Sequence, residues 1–393
     1  VSKQKILVTG ATGKTGGAVV AQLRAQGYPV RAVVRTLDAR AERLAGLGAE
    51  IAVADLFDYH GVRAAMAGTS RAYFCPPYHP QMLQSAVVFA LAAREAKLES
   101  IVGLTQWLAS PDHRSLLTRH HWLTDRLFEL LPDTALTIVN PGFFADEPYL
   151  SLMKYAALLG TFPMPARGDS RNAPPSTDDI ARVAVAALID PAKHAGKTYR
   201  PTGPELLSLD DMVAILSRVL GRKVRHVNLP LWMFYKAARM DGFDGFALSA
   251  MEHYLHELDA GTFAINAPTG DVLATTGREP ESFETIARRY AALPHMQPTF
   301  GNRARALAQF LTVPFRPGLD ARRYGAQFSI PEPPNPQYAI ESDRWKREHA
   351  SPGVASSSVA PSGAASSGGA SSNVAPQNVA SPEAAEPESV LCR

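Results

Sequence analysis

Short apolar, largely β-branched runs alternate with longer stretches of helical period through the first 140 positions. The runs are Ile6 to Thr9, Val30 to Val34, Ile51 to Ala54, Ala72 to Cys75, Ile101 to Thr105 and Leu136 to Val139. They carry few polar residues, which is the pattern of strands covered on both faces. Between them, Gly16 to Gln26 ends at Gly27 as a helix stop, and Gln81 to Ala96 repeats Leu83, Val87, Leu91 and Ala92 at helical spacing. This alternation predicts a doubly wound parallel sheet with its ligand at the carboxyl ends of the strands.

The regularity loosens after Pro141. Helices are predicted from Asp178 to Ile189 behind Ser176 or Thr177, and from Leu209 to Leu220 behind a Ser208/Asp211 capping box. Others fall near Pro230 to Met240, Leu248 to Leu258 and Glu281 to Leu293. From Pro294 to Ala350 proline recurs too often for regular structure, with one helix predicted at Arg303 to Leu311. From Ser351 onward Ala, Ser, Pro, Gly and Val dominate, and so few large side chains cannot offset the ordering entropy. The expected fold is α/β: a Rossmann-type doubly wound parallel sheet over 1–145 and a smaller, mostly helical substrate region over 146–293. A Pro-rich extension over 294–350 and a disordered tail over 351–393 follow.

Composition narrows the partners. The net charge is only +3 over 393 residues, and Lys and Arg are not gathered into runs, so no nucleic acid is expected. Cys75 and Cys392 are the two cysteines, which is no disulfide framework and suits a reducing, cytoplasmic setting. The start of the chain has no apolar signal region, and nothing approaches 18 uninterrupted apolar residues, so no membrane partner is expected. His253 and His256 stand three apart, whereas zinc helices place histidines four apart around a glutamate, so no metal is expected either. A small-molecule substrate remains. The tail is a candidate for contact with a protein partner, and the oligomeric state is open.

The strongest motif is Gly10-Ala11-Thr12-Gly13-Lys14-Thr15-Gly16, directly after the first strand and opening the first helix. Glycine here permits the tight turn, the approach of a pyrophosphate to backbone, and close packing of helix on sheet. The helix start offers unpaired amides and partial positive charge to the phosphates. Gly13-Lys14-Thr15 resembles the end of a P-loop, but that motif needs glycine where Val8 stands. A glycine turn that binds nothing is the plainer alternative; the ordered strand, turn, helix and second strand speak against it.

Arg35 closes the second strand, where an acid would accept from the ribose 2′-hydroxyl of NAD. No acid stands at 35 or 36, and Asp38 comes late. An arginine there clamps a 2′-phosphate, so the expected cofactor is NADPH, with NADH as the alternative. A solvated surface arginine is the competing reading of Arg35. Asp55 and Leu56 should border the adenine, and Pro76 and Pro77 should flank the cofactor nearer its middle.

Together these residues resemble the NmrA-like group of atypical short-chain dehydrogenases/reductases. The likeness rests on Lys5 to Gly16, Val34-Arg35, Ala54-Asp55-Leu56 and Asn140-Pro141-Gly142-Phe143-Phe144. It continues in Ser176 to Ala181 and Tyr199 to Pro204, and covers about residues 4 to 293. Such a resemblance implies a Rossmann-type fold and NAD(P)H. It also implies either a reductase, with a quinone or conjugated carbonyl as acceptor, or a non-catalytic NADP(H)-sensing regulator acting through a protein partner.

The usual Tyr-x-x-x-Lys pair of short-chain dehydrogenases is missing, since no tyrosine has lysine four residues later. By the resemblance, His121 stands where many relatives carry lysine, and Thr105 and Gln106 lie beside the nicotinamide. His121 is therefore a candidate proton donor or hydrogen-bond partner for substrate; the alternative is that His120 and His121 are structural. Phe143, Phe144, Trp107 and Tyr149 are the candidate walls of a flat, apolar substrate pocket, with plain packing at the sheet edge as the competing reading. Quinones suit a site without an acid, because hydride addition gives a delocalised anion that water can protonate.

Overall fold

The computed structural model describes residues 3–350 apart from 241, 321–323, 325–327 and 329–330; the expected disordered tail over 351–393 lies outside the described residues. Six strands follow in chain order: β1 (Ile6–Val8), β2 (Val30–Val34), β3 (Glu50–Val53), β4 (Arg71–Phe74), β5 (Ser100–Leu104) and β6 (Ala135–Val139). With Thr198–Tyr199 they make one seven-stranded sheet in the order β3-β2-β1-β4-β5-β6-(Thr198–Tyr199). Every pairing in it is parallel.

Side chains alternate across a strand, so an all-apolar strand needs cover on both faces. Ile6 and Val8 pack with Val19, Val20 and Leu23 of helix α1 (Lys14–Ala25) and with Ile180 and Ala184 of helix Thr177–Ile189. Leu7 packs on the opposite face with Met66, Phe74 and Phe89. β1 lies between β2 and β4, where the strand order reverses, so the carboxyl ends of β1 and β4 border the crevice of this fold.

Caps set the helix boundaries. Asp38 caps α2 (Ala39–Gly46), Asp58 caps α3 (Tyr59–Met66) and Ser115 caps α5 (Leu116–Glu129), each through a side-chain oxygen accepting from the first-turn amides. Helix α4 (Met82–Ala96) ends on Lys97 rather than on a glycine. Ser176 caps Thr177–Ile189, and the Ser208/Asp211 capping box opens Leu209–Val219 as the spacing predicts.

In the Pro-rich extension the helix expected at Arg303 to Leu311 is present as Phe300–Thr312, capped by Thr299, and a second helix that was not expected, Asp343–His349, is capped by Ser342. Trp345 is only 1% exposed, donates Nε1–H to the Trp107 carbonyl at 2.9 Å and stacks on His349. Beside it, the Ala339 amide donates to the Glu257 carboxylate, which also pairs with His113 at 3.0 Å. Burying one tryptophan contributes on the order of 2–3 kcal/mol, enough to dock a short helix between prolines. The anchors, not the prolines, decide this segment.

Candidate functional site

The glycine turn closes on itself. Gly10 has φ +60, the Gly13 amide donates to the Gly10 carbonyl at 2.9 Å, and the Gly17 amide donates to the Gly13 carbonyl at 2.9 Å. Gly13 is the N-cap of α1 and supplies no side-chain cap, as Gln81 supplies none to α4, whereas Asp38, Asp58 and Ser115 cap their helices. The first amides of α1 are thus without side-chain partners among the described residues and stand at the positive end of the helix. A Cβ on Gly16 would lie 2.6 Å from the Gly10 carbonyl carbon and nearer still to its oxygen, so only glycine lets the helix start this close to the turn. Thr9 Oγ1 accepts from the Cys75 amide at 2.9 Å, which ties the end of β1 to the end of β4 and to Pro76 and Pro77 beyond it.

A cavity of about 420 Å³ opens between the turn and α2, lined by Ala11, Thr12, Gly13, Gly17, Arg40, Arg43, Leu44 and Leu47. Arg40 is held by Asp38 at 2.7 Å, while Arg43 has no side-chain partner among the described residues. Arg35 stands exposed at the end of β2, also without a side-chain partner among them. Lys14 is engaged with Glu147 at 3.4 Å and the Asp146 carbonyl at 3.5 Å. Arg35 and Arg43 are therefore unengaged guanidiniums at this end, and sequence reasoning missed Arg43. Its part becomes readable only once α2 is known to face the cavity. Asp55 is exposed at the end of β3 and accepts from the Phe57 amide at 3.0 Å; Leu56 beside it is half-buried.

At the end of β5, Thr105 and Gln106 are both 5% exposed. Thr105 Oγ1 donates to Asp125 at 3.1 Å, and burial pushes the Asp125 carboxyl up to about 8, so it holds its proton at neutral pH. Gln106 Oε1 accepts from Thr118 Oγ1 at 3.1 Å and from the Tyr254 hydroxyl, while its Nε2 has no partner among the described residues. Leaving a buried donor unpaired costs roughly 1–3 kcal/mol, so this amide has the chemistry of a ligand contact. Tyr254, on helix Gly245–Asp259, was not singled out by the sequence. Its ring lies 5.8 Å from those of both Phe143 and Phe263, and burial raises its hydroxyl well above the ordinary tyrosine value.

His121 lies on α5, 6% exposed, with no partner for Nδ1 among the described residues. Burial, and then the neighbouring His120, depress it to about 3, so it is a neutral imidazole at physiological pH. It carries no imidazolium proton to give, which leaves a hydrogen-bonding role or a structural one.

The aromatic candidates divide. Phe143 meets Tyr254 and stacks on Phe263, whereas half-buried Phe144 packs against the α1-side cluster. Tyr149 is 1% exposed and braces Phe143 edge-on from within the core. Trp107 is equally buried, beneath Trp345 and His349. Among the described residues no cluster of His, Cys, Asp and Glu suits a metal ion.

Comparison with known proteins bears on this arrangement. The NmrA-like family pattern matches residues 2–102. The NAD(P)H azoreductase of Xenophilus azovorans is 32% identical over 291 residues, which is 73% of this chain and 98% of that protein. Quinone oxidoreductase 2 of Escherichia coli is 27% identical over 255 residues, 62% of this chain and 84% of that protein. The structure of the NADPH-dependent quinone oxidoreductase of Escherichia coli complexed with NADPH superposes with a TM-score of 0.61 at 22% identity. That match covers 72% of this chain and 99% of the other, and it shows the shared fold. With the sheet order, the glycine turn and an azoreductase matched over nearly its whole length, the chain belongs to the NmrA-like family.

Proposed function

We propose that this protein is an NADPH-dependent reductase whose acceptor is a flat, conjugated electrophile, a quinone or a conjugated carbonyl. One observation carries the cofactor: α1 begins without a side-chain cap, on a turn whose Gly16 leaves no room for a Cβ. A dinucleotide pyrophosphate is the group such a helix start accepts. Residues 10 to 16 would hold it, with Asp55 and Leu56 toward the adenine and Pro76 and Pro77 toward its middle. Bound there, NADPH supplies hydride.

The chain's own groups do the rest. Gln106, fixed by Thr118 and Tyr254, offers its unpaired Nε2–H to an oxygen of the nicotinamide amide or of the acceptor. Tyr254, backed by the buried Phe143 ring at 5.8 Å, would offer an aromatic wall to a planar molecule. Asp125 keeps a proton one hydrogen bond from Thr105. The azoreductase and quinone oxidoreductase relatives are named for reactions with conjugated acceptors, which favours turnover over a non-catalytic NADP(H) sensor.

The cofactor assignment is tested by Arg35→Ala. With Lys14 and Arg40 engaged by acids, Arg35 and Arg43 are the cations open to a 2′-phosphate among the described residues of this end. A charged hydrogen bond is worth roughly 1.5–3 kcal/mol, so NADPH affinity should fall about 10- to 150-fold while NADH affinity stays nearly unchanged. Equal weakening of both dinucleotides, or a wild type that binds NADH as tightly as NADPH, overturns the assignment.

The acceptor side is tested by Tyr254→Phe, which removes one donor to Gln106. The KM for a quinone should rise about two- to tenfold with kcat little changed, as for loss of one neutral hydrogen bond. His121→Ala should lower quinone turnover by about tenfold or less, since a neutral histidine is no acid. An unchanged KM in Tyr254→Phe takes that pair out of acceptor binding.

A further inference from the structure

The helix Phe300–Thr312 lies beyond the stretch over which the sequence resembles the family, and its outer face has no partner among the described residues. Phe300 is 89% exposed, Leu307 47% and Leu311 60%, and these three fall on one stripe at helical spacing. Phe315, in the turn that follows, is 86% exposed. Lys236 donates to the Pro314 carbonyl at 2.7 Å and lies over the Trp232 ring at 5.2 Å, which brings a half-exposed tryptophan to the same surface. The inward side of the helix is already satisfied by Ala306, packed with Ala157 and Leu158. The exposed stripe is therefore extra to what the core requires.

Charge says what could cover it. From Thr285 to Leu319 the chain contains no Asp or Glu, yet it carries Arg288, Arg289, Arg303, Arg305 and Arg316. Arg288 and Arg289 are paired with Glu284 and Glu281. The side chains of Arg303, Arg305 and Arg316 are exposed and have no partner among the described residues. A second copy of the same patch is a poor occupant, because a twofold interface sets like against like and would face these arginines with their own equivalents. An apolar stripe bordered by unpaired arginines instead fits a surface that is anionic at its rim and apolar beneath.

We propose that the helix Phe300–Thr312 and the turn to Phe315 dock on an anionic phospholipid bilayer, lying in the plane of the interface. Phe300, Leu307, Leu311 and Phe315 enter the acyl boundary, Arg303 and Arg316 meet the headgroup phosphates, and Arg305, farther round the helix, adds to the attraction at longer range. The expectation of no membrane partner rested on the lack of a spanning segment. No helix among the described residues is long and apolar enough to cross a membrane, and surface docking needs none.

The test is co-sedimentation of the full chain with vesicles of phosphatidylcholine alone or mixed with phosphatidylglycerol. Partition into the anionic vesicles is expected to be at least about tenfold greater, and to weaken as salt rises. The double variant Leu307→Ser/Leu311→Ser and the triple variant Arg303→Ser/Arg305→Ser/Arg316→Ser should each lose most of it. Both should keep wild-type melting temperature and NADPH affinity, since these side chains support neither core nor cofactor. Failure to bind anionic vesicles overturns the proposal, as does binding that neither variant reduces. A solution dimer that Leu307→Ser/Leu311→Ser disperses, with no vesicle binding, overturns it in favour of a second copy. None of these readouts involves turnover, so the reductase assignment stands or falls separately.

Discussion

Gly16→Ala should weaken NADPH binding by more than about 100-fold, or about 2.7 kcal/mol. The added Cβ would meet the Gly10 carbonyl carbon at 2.6 Å and its oxygen closer still, both backbone atoms that no rotamer change can remove. Relief requires the turn to move off the start of α1, and that disperses the amides that receive phosphate. Gly13→Ala is the control within the same turn. Its Cβ would stand 3.1 Å from the Gly10 oxygen, a contact relieved by a few tenths of an ångström. A loss of about tenfold or less is expected there. Titration of tryptophan fluorescence with NADPH, beside thermal melts of each variant, separates lost binding from lost folding. A Gly16→Ala protein that folds and binds NADPH like wild type would remove the turn from the cofactor site.

Acidification should unfold the protein steeply. Burial depresses His120 to about 4 and His121 and His349 to about 3, and all three are at most 9% exposed. Their folded values lie below the unfolded value of about 6.5. The stability they provide is therefore present above about pH 6.5 and is lost as pH falls toward about 4 and 3, because the unfolded chain binds protons first. Asp125 works the other way: raised to about 8, it favours the fold increasingly as pH falls from about 8 toward the ordinary carboxylate range. Set against Asp125 alone, these three histidines give a net uptake of up to two protons on unfolding; His253, also depressed to about 4, and His113 and His194, lowered by burial, add to it. The three histidines and Asp125 by themselves correspond to a slope of about 3 kcal/mol per pH unit between about pH 6 and 4. Melting followed by circular dichroism at successive pH values reads it directly. A melting temperature that stays level from about pH 7 to 4.5 would show that these imidazoles are not buried neutral.

Six of the sheet's seven strands were legible because burial on both faces writes itself into sequence as unbroken apolar runs. Each lies within one residue of its run, whereas the two-residue edge strand Thr198–Tyr199 is too short to leave such a run. Caps were legible for the same local reason: Ser176 and Ser208 with Asp211 act on residues three positions away, and Gly27 closes the turn just behind it. What escaped depends on long separation. Tyr254 reaches Gln106 across 148 positions, and Trp345 reaches Trp107 across 238. No periodicity encodes either contact. The segment from Pro294 to Ala350 was read from its prolines, which restrict the backbone, while its order comes from Trp345 and from Ala339 on Glu257. Phe143 and Phe144 show the same division at closer range. Adjacent rings point to different cores, which spacing alone does not reveal.

Hydride transfer from bound NADPH to an acceptor is read out by steady-state oxidation of NADPH by the purified full chain. With a soluble quinone, an azo dye and an enone offered in turn, acceptor-dependent loss of NADPH absorbance is expected. It should be fastest with the quinone and slower when NADH replaces NADPH. Tight NADPH binding with no oxidation by any of the three acceptors would contradict the account and leave a protein that senses the dinucleotide without consuming it.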